Sequence, residues 1–135
     1  MDFEAAIGCV GMASMAVRPG DTSVAMGIND LSVVASTGIL NVIESACSAA
    51  IIDLLDLGET TQTAVFTLEI LTTVTVGEDL RGHARCIGAD NDLLTFEAEV
   101  THLNKTIATA HVQRRLVDRV SYMARIAAER ISSEE

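Results

Sequence analysis

Between Gly38 and Leu57 the chain is far more apolar than a surface helix needs to be. Ile39, Leu40, Val42, Ile43, Ala46, Cys47, Ala49, Ala50, Ile51, Leu54 and Leu55 cover most of a helical circumference. Asn41, Glu44, Ser45 and Ser48, at i, i+3, i+4 and i+7, make one narrow polar stripe. A helix apolar nearly all round is a buried helix, so the rest of the chain must supply what wraps it. Ser36 or Thr37 is placed to cap the start, where a hydroxyl accepts from the free N–H groups of the first turn. Asp56 and Gly58 end the run, with Gly58 as the expected C-cap. The sequence therefore predicts a helix over roughly residues 37–57.

The flanking segments have the period of strands. Phe3 to Val17 alternates loosely and breaks at Arg18-Pro19-Gly20, and 21–34 is irregular. After the helix, Ala64, Phe66, Leu68 and Ile70 alternate with Val65, Thr67 and Glu69. Leu80, Gly82, Ala84 and Cys86 alternate with Arg81, His83 and Arg85. Beyond an Asp90-Asn91-Asp92 turn, Leu94, Phe96, Ala98 and Val100 alternate with polar partners, and 106–117 forms a last strand after Asn104-Lys105. Such alternation marks an antiparallel sheet with one solvated face. Residues 118–135 close the chain as an amphipathic helix or tail, with Val120, Met123, Ile126 and Ala127 on one side. The expectation is one α+β domain over residues 1–135, a long buried helix wrapped by about five antiparallel strands.

Bulk properties narrow the function classes. Aromatic residues make up 3% of the 135, so the core has to be aliphatic. No uninterrupted apolar run reaches the ~18 residues of a membrane span, and the acidic start Met1-Asp2-Phe3-Glu4 does not read as a secretory signal. Cys9, Cys47 and Cys86 are odd in number and widely spaced, which suits free thiols in the cytoplasm and neither a disulfide frame nor a metal site. A net charge of −10 opposes nucleic-acid binding.

Several local patterns together carry a family resemblance. Val33-Val34-Ala35-Ser36-Thr37-Gly38 followed by 39–44 and Ser45-Ala46-Cys47 resembles the helix-entrance motif of the fluoroacetyl-CoA thioesterase-like hotdog proteins. There a Thr or Ser near the helix start precedes a helical Glu by eight residues, as Ser36 precedes Glu44. Leu57-Gly58-Glu59-Thr60-Thr61, Val76-Gly77, 92–99 and Ala110-His111-Val112-Gln113-Arg114 resemble the turns and strands that follow in those proteins. The likeness spans about residues 17–126 and implies a hotdog fold acting on an acyl-CoA, with coenzyme A entering as part of the substrate and no further cofactor. Counting back seven residues from Gly77, the family's catalytic His falls on Ile70, which can neither accept nor donate a proton.

The roles implied are then few. Glu44 is the expected general base or nucleophile. The helix start at Gly38, without a side chain, offers N–H groups to an oxyanion, and Ser36 or Thr37 offers a hydroxyl. Gly38, Ile70 and His111 are the expected substrate-binding positions. Glu44 on a polar stripe is equally suited to face solvent, and His111 to a structural role. Arg81, Arg85, Lys105, Arg114 and Arg115 are the cations available to coenzyme A phosphates. With so few aromatics the sheet is expected to pair with a second copy, as a homodimer or a dimer of dimers. Three functions compete: an acyl-CoA thioesterase, a non-catalytic acyl-CoA or small-ligand binder of the same fold, and a hotdog dehydratase, which would need a His beside the helix.

Overall fold

The computed structural model describes residues 1–134. Helix α1 (Phe3–Ala6) leads into strand β1 (Val10–Ala16), helix α2 (Ser36–Ile51) and a 3-10 turn (Ile52–Leu54). Strands β2 (Glu59–Ile70), β3 (Asp79–Asp90), β4 (Leu93–His102) and β5 (Lys105–Asp118) follow, and helix α3 (Arg119–Glu134) closes the chain. All neighbours in the sheet are antiparallel, in the order β1-β3-β4-β5-β2. The sheet wraps α2, which is the hotdog arrangement expected above.

Small residues set how closely the helix sits. Gly11, Ala84, Ala98 and Ala110 lie in one cross-strand row beneath α2. A Cβ on Gly11 would overlap the Ala46 carbonyl oxygen and the Ala50 backbone, and one on Gly82 would meet Val42 O at 3.0 Å. Main chain therefore packs on main chain at Gly11, whereas at Gly82 the strand meets the Val42 side chain as well, its Cγ1 2.6 Å from where a Cβ would stand. Around this contact Ile39, Ile43, Ile51, Leu80, Leu94, Phe96, Val100 and Val112 form the aliphatic core, each at most 1% exposed. By length and composition the stretch Ser36–Leu54 would also suffice to cross a membrane, but its apolar faces are spent on this core.

Four details differ from the sequence reading. Phe3–Ala6 is a helical turn and no part of a strand, because Asp2 accepts from the N–H groups of Glu4 and Ala5. Helix α2 ends at Ile51, and Gly58 is no C-cap. With φ +84° it makes the turn into β2 instead. Neither Ser36 nor Thr37 caps the helix. The N-cap is Ala35, which makes no side-chain cap bond. The chain is fixed there by its backbone: Val34 N donates to Val74 O and Ala35 N to Asp21 O. Finally, β2 is not one continuous alternation. A bulge between Thr63 and Val65 reverses its parity, so that Thr61 and Thr63 as well as Phe66 and Leu68 turn toward the helix.

Candidate active site

Glu44 lies on the polar stripe of α2 where the helix passes the bulged part of β2. Its Oε1 accepts from Thr63 Oγ1 at 2.6 Å and from Arg114 at 3.3 Å. Arg114 is only 8% exposed. Its Nε donates to Thr61 Oγ1 at 2.9 Å and its terminal nitrogen to Thr61 O at 3.4 Å. The carboxylate is thus neither free in solvent nor deeply buried, but held by Thr63 and by a buried guanidinium that Thr61 holds in turn. A charge so enclosed costs desolvation unless its partner stays in place, so the four residues act as one unit. The bulge is what makes this possible. Without the extra residue, Thr61 and Thr63 would share a face with Val65 and point away from the helix.

Arg114 was grouped above with cations for coenzyme A phosphates, and the structure corrects this. Its guanidinium is used up on Glu44 and Thr61. Arg115 pairs with Asp92 at 3.0 Å. Arg81 and Arg85 lie on the outer sheet face, Arg85 opposite Glu97. The five cations form no common cluster.

The helix start forms a second region, whose lining does not include Glu44. Thr37, Gly38, Asn41 and Ser45 line a cavity of about 370 Å³ with Ser14, Met15, Arg18, Asp21 and Met26. Gly38 N already closes the first turn on Ala35 O at 2.9 Å. The N–H groups of Ser36 and Thr37 precede it and have no helical acceptor, so they are the donors left over at the positive end of the helix dipole. Thr37 Oγ1 donates to Met26 Sδ at 3.0 Å, while Ser36 is exposed. Gly38 is buried, with Val34 Cγ2 3.2 Å from where a Cβ would stand. It serves close packing as well as the cavity.

The remaining candidates stand apart. Ile70 closes β2, seven residues and roughly 20 Å of strand from Thr63, and is 42% exposed. His111 points away from α2, into a shallow concavity of about 560 Å³ on the outer sheet face with His83, Arg85, Glu97 and Glu99. Although larger, that concavity holds neither Glu44 nor a helix terminus. His102 Nδ1 donates to the Asp79 carbonyl oxygen at 2.6 Å. None of these histidines joins Glu44. The cysteines are free, and burial pushes the Cys47 thiol up to about 12 and the Cys86 thiol up as well, which removes both as nucleophiles near neutrality. Among the described residues no cluster of His, Cys, Asp or Glu is arranged for a metal ion.

Sequence comparison adds a family assignment. The profile described as "FlK: Fluoroacetyl-CoA-specific thioesterase" matches residues 17–120. The solved structure of the fluoroacetyl-CoA thioesterase FlK superposes with a TM-score of 0.83 at 15% identity, covering 90% of this chain and 95% of that one. A Thermus thermophilus hypothetical protein of the thioesterase superfamily gives 0.86 at 16% identity, with 95% of each chain covered. A hot-dog-like protein from Thermanaerovibrio acidaminovorans gives 0.84 at 14%, covering 96% and 97%. At such identities these structures establish the fold alone. No curated protein matches the chain in sequence.

Proposed function

Because the chain belongs to the fluoroacetyl-CoA-specific thioesterase family, we propose that it hydrolyses an acyl-CoA thioester as a cytoplasmic homodimer or dimer of dimers, with Glu44 as general base. The observation that carries this reading is the Glu44 carboxylate held by Thr63 and Arg114 on the one polar stripe of α2. About 12 Å of helix rise separates Glu44 from Ser36, a span that a water and a thioester carbonyl fill in series. Glu44 takes a proton from the water, whose oxygen adds to the carbonyl carbon. The resulting oxyanion accepts from the N–H groups of Ser36 and Thr37, with Ser36 Oγ free to orient the carbonyl. Collapse breaks the C–S bond, and the coenzyme A thiolate receives the proton from Glu44. An alkyl thiol with a pKa of about 8.5 leaves readily as the anion, so Ile70 in place of a histidine costs rate without closing the route.

A mutant of FlK has been solved in complex with acetyl-CoA, which supports an acyl-CoA as the class of ligand. The thiols, free in all three cysteines, support a reducing compartment. The apolar side chains exposed on the edge strand β2, among them Val65 and Ile70, support pairing with a second copy.

The test is thiol release from a panel of short, medium and aryl acyl-CoAs by the wild type and by Glu44→Gln. Gln keeps an acceptor for Thr63 and Arg114 but cannot take the proton, and turnover is expected to fall about 100-fold. Unchanged turnover removes Glu44 from the mechanism. A second reading rests on the same cluster: with Oε1 engaged by Arg114 and Ile70 inert, the protein binds an acyl-CoA or similar small ligand without cleaving it. Thermal stabilisation by coenzyme A with no thiol release from any substrate would select that reading.

A further inference from the structure

Helix α3 has an apolar stripe and nothing to put it on. Val120, Met123, Ala127 and Ile131 recur at i, i+3, i+7 and i+11, and Val120 is 77% exposed. Its base is tied to the rest of the chain, where Arg119 N donates to Gly58 O at 2.8 Å and Ser121 N to Asp118 Oδ1 at 2.9 Å. An isolated helix of this length is marginal in water, so a stripe of this kind calls for a partner.

The sheet topology says which one. Resting on the homodimer reading above, let β2, one of the sheet's two edges with β1 at the other, pair antiparallel with its own copy about a two-fold axis. Strand β5 is antiparallel to β2, so β5 of one protomer runs parallel to the partner's β2, with a single strand between them. Both leave the sheet at the same end and in the same direction, about 10 Å apart. One continues as α3 and the other as residues 71–78. That distance is the separation of two packed elements. Residues 71–78 present a matching patch: Leu71 is 55% exposed and Val76 42%. Charge agrees as well. Arg119, Arg125 and Arg130 are three of the chain's nine cations, Arg125 lying 3.7 Å from Glu129 of its own helix, while Glu69, Glu78 and Asp79 bracket the patch.

We propose that α3 is an exchanged strap, its Val120–Met123–Ile131 stripe lying on the partner's Leu71–Val76 segment. Through the Val34 N to Val74 O bond, that segment carries the start of the partner's α2, so the strap closes over the helix terminus of the opposite protomer's site.

The test uses the full chain in three forms, followed by sedimentation equilibrium. Wild type is expected to be dimeric. Val120→Glu/Met123→Glu, changed only on an exposed surface, is expected to keep its circular dichroism but raise the dimer dissociation constant by about tenfold or more. Leu71→Cys/Met123→Cys is expected to run as a covalent dimer after mild oxidation and as a monomer on reduction. If the wild type dimerises but the glutamate variant does so equally well, or the cysteine pair closes only within one chain, the strap is wrong and the dimer stands. A wild type that is monomeric at every concentration removes the dimer and the strap together.

Discussion

Helices α2 and α3 are each 16 residues long and each carries an apolar face, yet their fates in the fold are opposite. Eight residues of α2 are buried, whereas the apolar side chains of α3 stand in solvent. Length does not separate the two. Composition does, since α2 is apolar nearly all round and α3 on one side only, and so does the opposing surface: Gly11, Gly82 and the alanine row let α2 settle closely on the strands, and no such row faces α3. Amphipathicity says that a face wants covering. The surface opposite decides whether it is covered within one chain.

The most damaging way to disturb this contrast is to fill the space beneath α2. Gly11→Val puts a branched side chain against the backbone of Ala46 and Ala50. It is expected to cost about 3 kcal/mol or more, read as a large drop in the urea midpoint. A wild-type midpoint would mean that helix and sheet can separate freely. Next in size is Glu44→Ala, on the polar stripe of the same helix. It strands the buried Arg114 without its partner and should cost roughly 2–3 kcal/mol, less than for a fully buried pair because Glu44 is partly exposed. Glu44→Gln should cost clearly less in the same melt, and equal losses would show that Arg114 does not depend on the carboxylate. The smallest effect belongs to α3. Asp118 accepts from Ser121 N at 2.9 Å in its first turn, and that bond holds the Asp118 carboxyl below its ordinary value of 3.8. The stabilisation is therefore complete above pH 3.8 and is lost as pH falls through the lowered value. Far-UV dichroism should show α3 fraying only in that acid range, and Asp118→Asn should abolish the step. Fraying between pH 5 and 7 would assign it to another group.

How much of this the sequence reveals follows the same division. The buried helix and the four strands after it are legible because each face repeats at a fixed period. The Glu44 position is legible from its place on the stripe and from the family pattern. The cradle around it is not, because it depends on the bulge at Ala64, a position with no glycine or proline to mark a change of parity. Arg114 is an intermediate case. It continues the inward series Ala108, Ala110, Val112, so strict alternation places it inside, and only the habit of reading arginine as a surface cation hides it. The missing caps at Ser36 and Thr37 have a different cause: bridges from Thr22 and Thr75 fix residues 33–35, and such long-range pairing leaves no local signature.

The glycine contacts under α2 have a mechanical consequence. Side chains can absorb a small push by changing rotamer, but the interface of main-chain atoms at Gly11 has none to change. Helix and sheet must then move as one stiff body, and a displacement at the start of α2 reaches Glu44 undiminished. Whatever compliance the molecule has must reside outside that contact, in the segment between β1 and α2 and in the stretch that follows β2.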